Sequence, residues 1–484
     1  MHADWIIDYL QGQLQRQGQS TLSQQVYKLL REAIARQQLV ADTALPASRM
    51  LAQALQIGRN TVLAAYDQLL AEGYLYSRPG AGTFVSPAFS SLGQPTATAR
   101  GHAGLSQRGQ ALSEQYRLPT GLTGAFAPGL PELRQFPHAV WQRLQHQHNR
   151  LAPSHWWHYQ QEGGLPALRQ AICTYLQLSR SVHCQPEQIL VVQGAQQALE
   201  LTARLLADPA DQAWMEDPGY AGAQAAMQAA GLHIIPVPVD SEGLNPAAAP
   251  PDSRPRLVYI TPSHQYPSGV VMSLARRLEL LQRAEADNSW IIEDDYDSEF
   301  RYDAQPIASL QGLADSARVI YIGTFSKVMF PAMRLAYLVI PPALVDAFRS
   351  AYARLYREGC YAHQAALADF IEQGHFARHI RRMRDLYRIR QQLLRSTLQQ
   401  AVGDAVPLSS GQAGMHLVAS LPPTINDQQL SQQAAREQLW LRPLSRHFLG
   451  AQQRNGLVLG YAGVEENDIR RSALRLAQLV EPLL

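Results

Sequence analysis

Residues 323–337 read GTFSKVMFPAMRLAY, and they continue an apolar run, RVIYIG (318–323), with the length and β-branched content of a buried strand. Lys327 thus falls just past a strand end, behind the hydroxyls of Thr324 and Ser326 and ahead of Arg334. Runs of the same kind recur upstream as ILVVQG (189–194), RLVYIT (256–261) and SWIIEDD (289–295), with longer helical patterns between them. Short apolar strands alternating with helices make βαβ units, whose strands lie mainly parallel in one sheet. An α/β domain is therefore expected over residues 116–484.

The polar residues at the ends of these runs form a chemical set. Pyridoxal 5'-phosphate (PLP) needs a lysine for its aldehyde, a carboxylate for its pyridine nitrogen and a donor near its ring hydroxyl. It also needs a phosphate cradle and a stacking ring. Lys327 suits the Schiff base, and Asp294, at the end of its strand, suits the pyridinium nitrogen. Tyr296, two residues on, points to the same side of an extended chain and is placed for the ring hydroxyl. Ala195 and Gln196 follow Gly194 at a strand-to-helix junction, where free backbone N–H groups and the helix dipole favour a phosphate. Thr324 and Ser326 add hydroxyls, Arg334 adds a charge-assisted fork, and Tyr220 in EDPGY is the candidate stacking ring.

The N-terminal part reads differently. Residues 1–19 suggest a short Gln-rich helical extension, and residues 20–86 carry a dense succession of helix patterns. In LSQQVYKLLREAI (22–34) the apolar residues recur at helical spacing. SRMLAQAL (48–55) predicts a second helix with Ser48 as its N-cap, and RNTVLAAYDQLLAEGYL (59–75) a third after a tight turn. Helix, turn, and a helix with polar residues at its start is the helix-turn-helix layout, whose second helix enters the major groove. Arg59, Asn60, Thr61 and Tyr66 are the expected groove residues, and Arg49 and Arg78 the expected phosphate or guanine contacts. YSRPGAGTFV (76–85) fits a two-stranded wing with Gly80 and Gly82 at its tip. Residues 87–115, rich in Ser, Gly, Ala, Thr and Gln, read as a flexible linker.

Residues 45–85 resemble the GntR winged-helix family along their whole length, including the Pro46/Ser48/Arg49 cluster, Arg59 with Thr61, and the wing Gly82-Thr83-Phe84-Val85. From about residue 120 onward the chain resembles fold-type I aminotransferases in FPHAVWQRL, YQQEGGLPALRQAI, VVQGAQQALEL, EDPGYAG, TPSHQYPSG, EDDYDSEFRY and GTFSKVMFPAMRLAY. The combination is similar to the MocR subfamily of GntR-type regulators. That resemblance implies a large domain with a mainly parallel sheet, a smaller C-terminal α+β subdomain, a head-to-tail homodimer and PLP on Lys327. Two positions depart from the wider aminotransferase pattern. His264-Gln265-Tyr266-Pro267-Ser268-Gly269 replaces the Asn-Pro-x-Gly turn, leaving His264 or Gln265 as the polar contact. No arginine lies in GLVLGYAG (456–463), and Gly222 stands where amino-acid-sensing members carry one, so Arg442 and Arg446 are the nearest candidates for an effector.

Composition fits this reading. The chain has 484 residues, 46% of them apolar and 17% charged, with a net charge of +2, so affinity for nucleic acid must come from local clustering. Cys173, Cys184 and Cys360 are odd in number and spaced unlike a disulfide framework or a metal site. The start of the chain carries Asp4 and Asp8 and lacks a signal-peptide pattern, and no apolar run approaches a membrane span, so a cytoplasmic protein is expected. A basic run, RHIRRMRDLYRIR (378–390), reads as a solvated helix paired internally through Asp385, with contact of these arginines, Arg381 and Arg384 among them, to DNA or to the winged helix in a dimer as the sharper alternative. The expected function is a DNA-binding transcriptional regulator, not an enzyme. Its effector is PLP itself or an amine forming an external aldimine. A working aminotransferase with an accessory DNA-binding domain is the alternative.

Overall fold

The computed structural model describes residues 2–16, 20–89, 104–114, 124–302, 308–313, 318–451 and 453–484. They divide into two compact units, Met1–Gly104 and Leu105–Leu484.

The first unit contains α1 (His2–Gln13), α2 (Leu22–Ala35), α3 (Ser48–Leu55) and α4 (Arg59–Ala71), then the hairpin β1 (Leu75–Arg78) and β2 (Gly82–Val85). Thr21 caps α2 in a reciprocal capping box with Gln24, satisfying two otherwise orphaned N–H groups. Val26, Leu30, Leu51, Leu55, Val62 and Leu69 pack into one core, and the wing closes it through Leu75 and Val85, which face each other in register. Three expectations need correction. The first helix is no mere extension, because Ile6 and Leu10 are buried in that same core and Gln11 donates to the Ala54 carbonyl at 2.8 Å. Ala47, not Ser48, occupies the N-cap of α3, and Ser48 begins the helix. Tyr66 is 4% exposed and donates its hydroxyl to the Pro46 carbonyl at 3.0 Å, so it belongs to the core and not to a DNA surface.

The second unit begins with a further difference. Within the expected linker 87–115, residues Gln107–Glu114 form α5, which lies against the later helix Ala221–Ala229 with Arg108 donating to the Ala229 carbonyl; residues 90–103 and 115 of that stretch lie outside the described residues. Then follow α6 (His138–Arg150), α7 (Pro166–Arg180), β3 (Ile189–Val192), α8 (Ala195–Leu206), β4 (Gln212–Asp217), α9 (Ala221–Ala229), β5 (His233–Asp240), β6 (Gly243–Leu244), β7 (Leu257–Ile260), α10 (Leu274–Ala286), β8 (Trp290–Asp295) and the short α11 (Leu310–Leu313). After β9 (Val319–Thr324) and β10 (Ala336–Val339) come α12 (Val345–Leu355), α13 (Tyr361–Glu372) and the long α14 (His375–Val402). The chain ends with β11 (His416–Ser420), α15 (Asp427–Arg436), β12 (Arg442–Pro443), β13 (Gly456–Gly460) and α16 (Glu466–Val480).

Eight strands form one sheet in the order β3-β10-β9-β8-β7-β4-β5-β6. β9, β8, β7, β4 and β5 run parallel, and β3 shares their direction because it and β9 both pair antiparallel with β10. β3, β7 and β9 are buried along their whole length, as a sheet covered on both faces requires. A separate three-stranded sheet, β11-β13-β12, packs with α14, α15 and α16 in the C-terminal part. The α/β architecture with a smaller C-terminal α+β part is thus as the sequence reading has it.

α14 carries the basic run. Arg382 donates to Gln135, Arg384 to the Glu299 carbonyl, and Arg388 pairs with Asp385 at 3.2 Å. Arg390 is buried against Glu132 and Glu466, at 2.7 and 3.0 Å. Burial works to raise the Glu132 pKa, but hydrogen bonds from Arg134 and Arg390 outweigh it and hold the carboxyl at about 2. Internal pairing therefore accounts for most of these arginines.

If α1 is part of the winged-helix core, Leu10→Ala lowers the stability of the first unit by about 2–5 kcal/mol, read as a shifted calorimetric transition of the full chain. Asp8→Ala, on the exposed face of the same helix, serves as the control and leaves that transition in place.

Candidate functional site

Each unit presents one candidate surface. In the first, α4 opens with Arg59 and Asn60 exposed and Thr61 half-buried, because Val62, Ala65 and Leu69 hold the opposite face to the core. Arg49 is exposed on α3, and Ser48 accepts from Arg59 Nε at 3.5 Å. Gly80 and Gly82 have φ of 76° and 116° at the tip of the wing, conformations that favour glycine. Arg78 stacks on Phe84 with its guanidinium 4.8 Å from the ring centroid and pairs with Asp42 at 2.9 Å. With Tyr66 removed from the set, the remaining expected residues present cations, amides and backbone at the helix start and the wing.

In the second unit the sheet register assembles the site. Ala336 of β10 faces Val192 of β3 on one side and Thr324 of β9 on the other. This brings together the start of α8, the turn carrying Lys327, and Arg334. Asp294 and Asp295 lie opposite Ile322 and Gly323 on the next strand. Ends of parallel strands are where α/β folds place ligands, since helix starts and loops converge there.

Alternation along β8 sends its two aspartates to different tasks. Asp295 meets the buried Arg180 at 2.7 Å and the hydroxyl of Tyr321. Asp294, 4% exposed, accepts from the Tyr259 hydroxyl through Oδ2 at 2.9 Å, while its Oδ1 is buried with no hydrogen-bond partner. Burial raises the Asp294 pKa to about 7, against the lowering by Tyr259 and by the charge of Lys327. Burial likewise lowers the Lys327 pKa, against the nearby Asp297 and Asp294 charges. Lys327 Nζ donates to the Gly129 carbonyl at 3.0 Å, and a Cβ at position 129 would stand 2.6 Å from that nitrogen. A buried acceptor without a donor and an amine with its charge suppressed fit a group that brings its own N–H⁺ and an electrophile.

The start of α8 fits an anion. Gly194 caps the helix at φ 103°, and a Cβ there would sit 3.4 Å from the Arg334 guanidinium carbon. Arg334 is exposed, and its guanidinium makes no hydrogen bond or ion pair with the described residues. The N–H groups of Ala195 and Gln196 are first-turn donors, unused by the helix itself. Gln196 donates its side chain to the Gly222 carbonyl at 2.8 Å, tying α8 to α9. Thr324 accepts from the Ser326 N–H at 3.2 Å, which shapes the turn before Lys327.

Aromatic groups line the remaining wall. Tyr266 has Tyr220, Tyr296, His416 and His447 around it at ring-centroid distances of 5.7, 6.1, 5.4 and 5.2 Å. Tyr220 is 37% exposed, and a Cβ on Gly222 would lie 2.5 Å from its ring, so the residue without a side chain makes room for the tyrosine. Tyr296 donates to the His264 carbonyl at 2.9 Å, and His264 Nδ1 lies 3.1 Å from the Asp297 carboxylate. Gln265 is not a pocket group; it is buried and donates to Glu216 and to the Pro218 carbonyl, clamping two loops together. Burial lowers His416 to about 3 and His447 to about 4, so both rings are neutral near pH 7.

The two arginines expected to meet an effector separate. Arg442 is half-buried, and its charge acts on His447, which lies against Tyr266. Arg446 is exposed and donates to Gln428 at 3.3 Å, and no contact with the described residues joins it to Lys327. Residues that the sequence reading passes over are Tyr259, Asp297, His416, His447 and the Gly129 carbonyl. His264, Asp297 and His416 also bring three potential metal-ligating atoms within 4.8 Å of one another. His264 is already paired to Asp297, however, and His416 Nε2 lies 3.0 Å from the Pro267 carbonyl.

The Asp294 environment has a pH signature. Its folded pKa, about 7, lies above an unfolded value near 3.8, so the native state takes up a proton between those limits and loses stability as pH rises through them. Asp294→Asn keeps the neutral form at every pH. Its stability relative to the parent should therefore grow from about pH 4 to pH 7, by at most about 1.4 kcal/mol per pH unit, then level off. Taking the difference removes the parallel effects of Glu216 and Glu299, which burial also raises to about 7. A difference independent of pH in urea titrations of the ligand-free protein excludes this account.

Residues 22–85 match the family of bacterial regulatory proteins called gntR, and residues 129–475 match aminotransferase class I and II. The chain is 42% identical over 479 residues to the probable rhizopine catabolism regulatory protein MocR of Rhizobium meliloti, covering 96% of this chain and 95% of that one. It is 33% identical to the pyridoxine biosynthesis transcriptional regulator PdxR of Corynebacterium glutamicum, over 93% of this chain and 94% of that one. Among solved structures, LysN, an α-aminoadipate aminotransferase from Thermus thermophilus complexed with N-(5'-phosphopyridoxyl)-L-leucine, superposes with a TM-score of 0.69. It is 27% identical and spans 77% of this chain and 97% of its own. With regulators aligned over more than nine-tenths of the chain and the aminotransferase class I and II family matched over residues 129–475, the chain belongs to the MocR-type regulators of the GntR family.

Proposed function

We propose that the second unit holds PLP in the pocket around Lys327 and that its occupancy, or the reaction of a primary amine there, sets how the first unit binds operator DNA. The observation that carries this reading is Asp294 Oδ1, a buried carboxylate oxygen with no donor, in the same pocket as an amine with a lowered pKa. Lys327 would hold the cofactor through Nζ and Asp294 would keep the ring nitrogen protonated. Tyr296 and His264 would meet the ring hydroxyl, Tyr220 the ring face, and Ala195, Gln196, Thr324, Ser326 and Arg334 the phosphate. Bound there, PLP supplies an aldehyde that condenses with primary amines and a protonated ring that withdraws electrons. Lys327, uncharged more readily than a solvated lysine, provides the nucleophile and accepts or returns a proton at Nζ. The complex solved with the Thermus thermophilus aminotransferase and the pyridoxine regulation named for the Corynebacterium glutamicum relative support the same choice of cofactor.

On the DNA side, Arg49, Arg59, Asn60 and Thr61 would contact the groove and its phosphates, with Ser48 beside them and Arg78, Gly80 and Gly82 contributing from the wing. The resemblance implies a head-to-tail homodimer. Among the described residues no helix is long and apolar enough to cross a membrane. The reading as a regulator without turnover rests on the weak grip available to a substrate carboxylate, Arg446 being turned to Gln428 and Gly222 lying under Tyr220. A working aminotransferase remains a second reading because the Lys327–Asp294 pair is intact; sustained product formation from amino acids and 2-oxoglutarate would establish it.

The decisive test titrates ligand-free protein with PLP while following operator binding on the DNA upstream of its own gene. Wild-type protein should gain a visible absorption band and a changed footprint, and Lys327→Ala neither; a footprint shift that survives in Lys327→Ala rejects the lysine as the anchor. Separately, Arg59→Ala should weaken operator binding and reduce the slope of log K against log salt by about 1, whereas Tyr66→Phe should leave the slope unchanged.

A further inference from the structure

The residues that match the gntR family begin at Leu22, yet a helix stands ahead of them, α1, whose Ile6 and Leu10 belong to the winged-helix core. Its polar side chains reach the end of α3, at the corner of the helix-turn-helix. α3 ends at Leu55, and the last four carbonyls of a helix have no partner within it. The turn that follows closes on two of them: the Ile57 N–H donates to the Ala52 carbonyl at 3.0 Å and the Gln56 N–H to the Gln53 carbonyl at 3.2 Å. Among the described residues the turn offers no backbone N–H to the carbonyls of Ala54 and Leu55.

α1 and the residues just after it supply both missing donors. Gln11 donates to the Ala54 carbonyl at 2.8 Å, and Arg16 donates to the Leu55 carbonyl at 3.4 Å and to the Gln56 side chain at 3.3 Å. Gln56 is where the chain turns, in the left-handed region at φ 53°, so one guanidinium spans the helix end and the corner. A cation there also faces the negative end of the α3 dipole. Arg16 is itself held in place. Gln25 of α2 accepts from the Gln15 N–H and donates to the Gln15 carbonyl, both at 2.9 Å, one residue before Arg16. Past the corner, α4 starts at Arg59 without a side-chain cap, because its N-cap is Gly58. The core holds the axis of α4 through Val62, Ala65 and Leu69, and the corner fixes where its first turn begins, hence the placement of Arg59, Asn60 and Thr61.

We propose that Gln11 and Arg16 are positioning residues for DNA recognition. They touch no DNA themselves and fix the corner between α3 and α4, so that the first turn of α4 meets the groove in one orientation. This rests on the DNA-binding role of the first unit. A side chain that only stabilises the fold affects binding to all duplexes alike. One that orients the reading helix acts on contacts to base edges, which carry the sequence information, more than on contacts to phosphate.

The test uses the full chain and two substitutions that leave the net charge unchanged, Gln11→Leu and Arg16→Lys, singly and together. Lysine keeps the cation and loses the planar fork that reaches Leu55 and Gln56 at once. Binding is measured on the tightest duplex that wild-type protein selects from a random pool, and on a scrambled duplex of equal length. The double variant should bind the selected duplex about tenfold more weakly, as for two lost hydrogen bonds, and the scrambled duplex with less than about a twofold change. The slope of log K against log salt should stay that of wild type, because neither residue contacts a phosphate. Gln13→Ala, exposed on the same helix, is the control and binds as wild type does. If the double variant loses its native circular dichroism, the same ratio is read on Gln11→Leu alone. An equal loss on both duplexes, an unchanged affinity for the selected one, or a slope shallower by about 1 overturns the proposal. A selection that enriches no duplex removes the DNA-binding role itself, and the proposal falls with it.

Discussion

Ala336 sits between Val192 and Thr324, and on this double register the chemistry of the second unit depends. β10 is the antiparallel strand that joins β3 to the parallel set, so its first residue fixes two strand ends at once. The start of α8 follows one of those ends and the Lys327 turn follows the other, while Arg334 precedes β10 itself. A slip of one residue would reverse which face every side chain of β10 meets, and β10 is buried along its length, so the register is strongly specified. The turns that carry an anion cradle and an amine are thereby anchored to paired strand ends.

Within that frame the energetics are those of charges removed from water. Asp294 is driven toward its neutral form and Lys327 toward its amine, although each charge favours the other. Desolvation outweighs their mutual attraction because neither side chain is paired directly: Asp294 Oδ2 is satisfied by Tyr259 and Lys327 by a backbone carbonyl. The same unit shows the contrasting case. Glu132 and Arg390 are also buried but bond directly, and there the pairing outweighs burial and the carboxylate stays charged. Burial sets up a structural anchor in one place and a receptive site in the other, and the difference is whether each donor and acceptor already has its partner.

What is legible in the sequence is local. Lys327, Thr324 and Ser326 stand in one short turn, and Asp294 ends an apolar strand, so spacing alone assigns them to strand ends. The missing members come from far along the chain: Gly129 meets Lys327 across 198 residues, and Tyr259 meets Asp294 across 35. No periodicity signals such pairs. Tyr66 reads as a surface residue because a tyrosine is amphipathic, and only the Pro46 carbonyl inside the core shows where its hydroxyl is satisfied. The helix Gln107–Glu114 escapes a sequence reading for the opposite reason. Its composition carries little apolar signal, and its lie against α9 comes from tertiary contacts that composition cannot reveal.

A ligand shifts an equilibrium only by as much as it binds one state better than another. The group that feels a change at Lys327 first is the Gly129 carbonyl, which accepts its hydrogen bond. Residues just before it cross to the smaller sheet: Ala125 bridges to Leu439 and Phe126 to Gly460, and Phe126 is fully buried. Whatever takes Nζ away from Gly129 therefore releases a carbonyl on a segment that is pinned, three residues earlier, to the three-stranded sheet. That carbonyl is half-buried, and without Nζ it needs another donor, from the protein or from water. The smaller sheet also carries His416 and Arg442, which belong to or border the same pocket. The lysine, its carbonyl partner and the C-terminal sheet are thus joined by continuous contacts.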